Sequence, residues 1–322
     1  MPTATSPSPL RASAVLLGIT AVWGLTFLWG RDAMLAAEAT AEAAGLRPGA
    51  LRDPAAAGFV ALRFAIAWVG LWAAGRLPRL GWLWPPADRG AGITGAAVGG
   101  LLLAGFLLQM TALAELDASV TAFLTSLYVV FTALLAALLA RRVPRGTTLL
   151  GVILATLGAG FIDGPPQVSF ALSEWLTVAS AVLFAGSILA TDRFTKVHEP
   201  LVFTRVGFAT VAVGGAAWFG VTLIGSEPGT VAALGELLML RAFLWPLLCC
   251  ALLATTIALT LINLYQRHVD PVRAAVLYAL EPVWAAIWVL ALEGGVPGPW
   301  LLGGGAALLA GNLVAELAPR LR

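Results

Sequence analysis

In LYALEPVWAAIW (277–288) a single carboxylate, Glu281, stands beside a proline, and no other charge falls between Ala274 and Leu292. A second isolated charge, Arg63, interrupts the apolar run GFVALRFAIAW (58–68). Charges held away from water are expensive, so each needs a partner or a purpose. A protonatable carboxylate in a low-dielectric cavity suits proton coupling or capture of an amine. The structural alternative is that Glu281 satisfies backbone groups freed at Pro282. A guanidinium at Arg63 suits a carboxylate ligand or an ion-paired outer gate, and the structural alternative is snorkelling to lipid headgroups. Arg205, near the opposite end of its own apolar run, is a rough mirror partner for Arg63, with snorkelling the favoured reading. Polar and aromatic residues inside comparable runs complete a candidate small-molecule-binding set: Trp23, Phe27, Gln109, Ser126, Tyr128, Ser187, Asn263, Tyr278 and Trp284, together with Arg63 and Glu281. Trp23 lies mid-run and reads as a cavity wall, whereas Trp82, Trp84, Trp175, Trp245 and Trp300 lie at run ends, where an interfacial belt belongs.

Other chemistries find little support. There is no HExxH, no GxSxG and no aspartate-rich prenyltransferase pair, and His198 and His268 lack a histidine partner at ligand spacing. No catalytic residue, metal site or cofactor is therefore expected, and the chain does not read as an enzyme. The adjacent Cys249 and Cys250 lie in an apolar run and read as packing residues. Lys196, the sole lysine, falls in a loop, which argues against a retinal Schiff base. Glycine-rich stretches at 95–100, 213–218 and 302–311 permit close helix approach; none follows a strand or precedes GK[ST], so none is a phosphate loop.

The elements that must hold these residues are membrane helices. The chain is 60% hydrophobic and 11% charged, against about 25% charged in an ordinary soluble domain. Apolar runs bounded by Arg, Pro, Gly and acids predict ten spans, near 13–31, 56–75, 91–113, 118–140, 147–163, 175–191, 201–224, 243–265, 271–292 and 300–317. Breakers sit between them at Pro85-Pro86, Pro165-Pro166 and VPGP (296–299). With the N-terminus inside, fourteen of the nineteen basic residues fall in cytoplasmic segments, which selects an N-in, C-in topology in the cell membrane. The net charge of +2 and the arginine bias carry no nucleic-acid inference. Asp32 to Pro54 reads as the longest external connection, either a short surface helix through EATAEAAG or a polar loop.

The two halves resemble each other. Shifted by 153 residues, Asp117–Gly158 aligns without gaps on Asp270–Gly311, with twelve of 42 positions identical, among them Asp117/Asp270, Pro144/Pro297, Gly151/Gly304 and Gly158/Gly311. Tyr128 is the repeat equivalent of Glu281, so both should approach a pseudo-twofold axis. Five spans per half make the second half enter the membrane upside down. The predicted fold is thus an all-α bundle of ten transmembrane helices in two inverted five-helix repeats. Its organisation is a tail at 1–12, a first repeat at 13–163, a linker at 164–174, a second repeat at 175–317 and a tail at 318–322.

AVWGLTFLWG (21–30) resembles the WG-x-x-F opening of EamA-type members of the drug/metabolite transporter superfamily. LYALEPVWAAIWVLALEGG (277–295) is similar to that family's second-half signature, and the resemblance covers essentially the whole chain. The first repeat departs from it, with Tyr128-Val129 where the second has Glu281-Pro282 and Ala140-Arg141 where Glu293 marks the second. The resemblance implies a carrier with a central cavity lined from both halves. Family members move amino acids, other metabolites, drugs or nucleotide sugars, and EamA-type relatives are mostly exporters of amino acids and related metabolites. The expected partners are a small-molecule substrate, the lipid bilayer and coupling protons. The expected activity is export of amino acids or related amphipathic compounds by alternating access. Efflux of drugs or organic cations is the alternative, with a membrane-embedded enzyme behind it.

Overall fold

Every described element of the computed structural model is a helix; the described residues are 9–86, 88–143, 146–161, 171–269, 277–294 and 297–317. The tail at 318–322, the first eight residues, Pro165-Pro166 with most of the linker, and the repeat positions Pro144 and Asp270 lie outside them. Helix α1 spans Pro9–Ala43, α2 Arg52–Gly75 and α3 Arg89–Leu113. Two shorter helices, α4 (Ala118–Thr125) and α5 (Tyr128–Leu139), form one rod broken at Ser126 and Leu127. Then come α6 (Gly146–Gly160), α7 (Leu172–Phe194), α8 (Pro200–Thr222) and α9 (Thr230–Met239). A second composite rod joins α10 (Arg241–Cys249), a π-helical stretch at Cys250–Ile257 and α11 (Ala258–Tyr265). The last two are α12 (Glu281–Leu292) and α13 (Pro299–Leu317).

Seven of these are long and apolar enough to cross a membrane: α1, α2, α3, the α4–α5 rod, α7, α8 and the rod through α10 and α11. Four shorter apolar helices, α6, α9, α12 and α13, complete the set. Leu138, Leu139, Ile153, Leu157, Val213 and Trp218 stand exposed on the outside, a surface that water would penalise and lipid accepts. The chain is an all-α, multi-pass membrane protein. Trp82, Trp175, Trp245 and Trp300 are also exposed, as belt residues should be. Trp84 is not; it packs edge-on against Trp68 at 5.7 Å between centroids, under the Arg205 guanidinium.

One expectation needs correction. The first span does not stop near residue 31, because α1 continues through EATAEA to Ala43. At 1.5 Å per residue its 35 residues reach about 52 Å, well past a hydrocarbon core of about 30 Å. Alanine-rich sequence favours the helix, and Ala33, Met34, Ala37 and Ala41 bury one face of the extension against α9 and α10. Between the predicted spans 201–224 and 243–265 the chain also forms α9.

Helices α6 and α13 pack along each other through glycine. A Cβ on Gly158 would come 2.6 Å from the carbonyl oxygen of Gly304, and one on Gly311 would come 2.6 Å from that of Gly151. The first contact also meets Leu308, and the second Ala155. Each residue in one contact lies 153 positions from its counterpart in the other. Only hydrogen at Cα lets backbones approach so closely.

Candidate functional site

Two helix breaks converge on one hydrogen bond. In the first, the amide of Ser126 reaches back to Ala122 and Phe123, Leu127 to Leu124, and the helix restarts at Tyr128. In the second, a turn at Ala279 and Leu280 precedes Glu281, and Pro282 has no N–H to continue the ladder. Residues 271–276, where the ninth predicted span should begin, lie outside the described residues. Both restarts aim a side chain inward: Tyr128 Oη donates to Glu281 Oε2 at 2.9 Å and lies 3.2 Å from the Tyr278 carbonyl oxygen. Tyr128, Tyr278 and Glu281 are all buried.

Around this pair lies a cavity whose wall draws on α1, α2, α3, both rods, α7, α8 and α12. Nine residues of the candidate set line it: Trp23, Phe27, Arg63, Gln109, Tyr128, Ser187, Asn263, Tyr278 and Glu281. Arg63 Nε donates to Thr255 Oγ1 at 2.6 Å, and its guanidinium carbon sits 4.7 Å from the centre of the Phe106 ring. Trp23 Nε1 donates to the Ala254 carbonyl at 3.1 Å, and its ring packs against Tyr278. Gln109 donates to Thr125 Oγ1 at 3.1 Å, Asn263 to Thr204 Oγ1 at 2.7 Å, and Tyr278 Oη to Gln266 at 3.1 Å. Ser187 turns its hydroxyl back to the Phe184 carbonyl, so it offers the cavity an oxygen rather than a proton.

Ser126 and Trp284 lie outside the lining. Ser126 serves the first break: its hydroxyl bonds the Phe123 carbonyl, and Asn312 Nδ2 donates to both its carbonyl and its hydroxyl at 3.1 Å. Asn312, fully buried on α13, thus adds a second donor to a carbonyl that already accepts from the Val129 N–H at 3.0 Å. Trp284 stacks on Trp288 and closes over Gly24 of α1. Arg205 is tied rather than free at an interface: its Nη1 donates to the Pro85 carbonyl at 2.6 Å.

Several wall residues escaped the sequence reading. Phe106, Phe184, Phe203 and Phe208 line the cavity but sit in uniformly apolar helices, where nothing marks the inward face. Thr255 reaches Arg63 from the π-helical stretch, and its hydroxyl returns to the Cys250 carbonyl five residues back. The adjacent threonines at 255 and 256 were its one sequence signal.

The two ends of the bundle differ. Toward one end the lining reaches Gly95, Thr191, Phe203 and Gln266, each within two turns of its helix terminus. At that end Asp88 caps α3, and the backbone N–H of Ala91, with those of Glu199 and Gly90, holds its carboxyl below the usual range despite some desolvation. His198 sits 3.6 Å from it, beside Gly90, rather than free in a polar loop. The opposite end is crossed by ion pairs. Arg31 contacts Asp117 at 2.6 Å and Glu293 at 3.8 Å, Arg52 contacts Glu115 at 2.6 Å and Glu38 at 3.8 Å, and Arg47 pairs with Glu227.

No family model and no curated protein matches the chain. Among solved structures, one described only as "Crystal structure of protein" shares the fold at a TM-score of 0.55 and 19% identity, over 92% of this chain and 97% of its own length.

Proposed function

We propose that this chain is a secondary transporter that exports amino acids or related amphipathic metabolites by alternating access, with ten membrane-crossing segments in two inverted halves. The observation that carries the proposal is the Tyr128–Glu281 hydrogen bond. It joins repeat-equivalent positions, 153 residues apart, on the wall of a buried cavity. A duplicated scaffold has no packing need for a carboxylate at its axis. A carrier needs one, to bind substrate or protons at the interface of its halves. The reciprocal contacts of Gly158 and Gly311 support the same axis, since each half presents the same surface to the other. The resemblance to EamA-type carriers points the same way.

In the N-in orientation favoured by the arginine distribution, the cavity reaches toward the cytoplasm while the Arg31 and Arg52 ion pairs seal the outer end. Substrate then enters from inside, binds among α1, α3, α5, α7, α11 and α12, and leaves when the rods bend at their breaks and the outer pairs part. The aromatic wall also favours a second substrate class, amphipathic organic cations, through ring faces and Glu281. Counterflow of radiolabelled amino acids and of a cationic dye into proteoliposomes distinguishes the two. Saturable exchange of an amino acid supports the first reading and exchange of the dye alone supports the second. Full transport by protein whose two ends are locked with rigid crosslinks would contradict alternating access.

A further inference from the structure

Of the charged side chains on the cavity wall, Glu281 is held by Tyr128, while Arg63 has no carboxylate within ion-pair distance among the described residues. Arg63 is 4% exposed, and apart from the Thr255 hydroxyl it faces the rings of Phe106 and Phe64. Buried arginines are rarely left without an anion, because removing the guanidinium from water forfeits strong solvation. A purely structural role would be served better by an apolar residue of similar length. Thr255 fixes the Nε edge, and the planar fork is matched to a carboxylate bound through two parallel hydrogen bonds.

We propose that Arg63 is a carboxylate-binding subsite: the ligand pairs its carboxylate with the guanidinium and rests its apolar portion against Phe106 and neighbouring rings. This rests on the transporter reading above and narrows it to solutes that carry a carboxylate, against the organic-cation class. Glu281, on the same wall, remains free to take a ligand amine or a coupling proton.

The test is equilibrium binding to purified full-length protein in detergent, using leucine, leucinamide, 4-methylpentanoate and 3-methylbutylamine, then the other proteinogenic amino acids with their amides. Acids should bind about tenfold to hundredfold tighter than their matched amides, the range expected for a charged hydrogen-bonded pair. Arg63→Lys should keep a weakened preference and Arg63→Met should lose it. Thermal unfolding of ligand-free Arg63→Met should show an unchanged or raised Tm, since no protein anion loses its partner. Amides binding as well as acids across the panel, absence of any acid binding, or a preference that survives in Arg63→Met would overturn the subsite. A large drop in Tm for ligand-free Arg63→Met together with no acid preference in the wild type would make Arg63 a structural residue only. The wild-type acid/amide comparison stands even if that variant fails to fold. Acid binding without flux in proteoliposomes would refute transport and leave the subsite, whereas dye flux without acid binding would do the reverse.

Discussion

The α4–α5 rod breaks at Ser126-Leu127 and the chain entering α12 turns at the aligned step, Ala279-Leu280, yet the two breaks arise by different means and deliver different chemistry. Proline enforces the second break. The first has Val129, whose N–H still bonds the Ser126 carbonyl at 3.0 Å, and a side chain from elsewhere, Asn312, donates to that carbonyl as well. After the breaks stand Tyr128 and Glu281, a donor and an acceptor in contact. Had both halves kept the carboxylate, two like charges would share one buried point and disfavour each other's ionisation. Tyrosine at one position and glutamate at the other instead give a hydrogen-bonded pair with a single carboxylate.

Tyr128→Glu attacks that asymmetry most directly and should reduce counterflow to the level of protein-free vesicles. Tyr128→Phe keeps the shape, removes one charged hydrogen bond of about 1.5–3 kcal/mol, and should slow exchange about tenfold or more. Normal flux in the Tyr128→Glu variant would mean the pair is incidental. The glycine interface sharpens the symmetric side of the comparison. Gly158→Ala and Gly311→Ala each place a methyl 2.6 Å from a carbonyl oxygen, and each should cost about 1–3 kcal/mol by overpacking. Their Tm losses in detergent should be equal within error, and clearly unequal losses would break the proposed twofold relation.

Much of the site could be read from isolated charges. Glu281 and Arg63 stood out because charge in an apolar run has few innocent explanations, and Tyr128 followed from the repeat. The phenylalanine wall did not stand out, for a reason particular to membranes: when lipid is the solvent, a helix may be apolar on every face, so no periodicity separates the cavity side from the outside. Trp284 and Ser126 illustrate the same loss from the other direction, since being polar or aromatic inside a span did not tell whether the side chain met the cavity or a neighbouring helix. Thr255 was hidden because its approach to Arg63 depends on a π-helical register that no spacing rule anticipates. The helix through EATAEAAG was one of two readings, but its continuity with α1 was hidden because the acidic residues mask the face on which Ala33, Met34 and Ala37 are buried.

The smallest expected effect concerns the two ends of the bundle. Arg31 and Asp117 are both partly exposed, so Arg31→Ala should weaken the sealed end by no more than about 1 kcal/mol. In a Thr26→Cys background, that change should raise the labelling rate by an impermeant thiol reagent added outside by up to about fivefold. An unchanged rate would remove the Arg31 pairs from any gating role.

The most direct test of the central claim is proteoliposome counterflow measured at two pH values for wild type and Glu281→Gln. Saturable exchange that varies with pH in the wild type, and that is both slower and indifferent to pH in the variant, is the predicted result. Exchange that keeps its full rate and its pH dependence in Glu281→Gln would contradict the account and leave Glu281 as a cap for the backbone broken at Pro282.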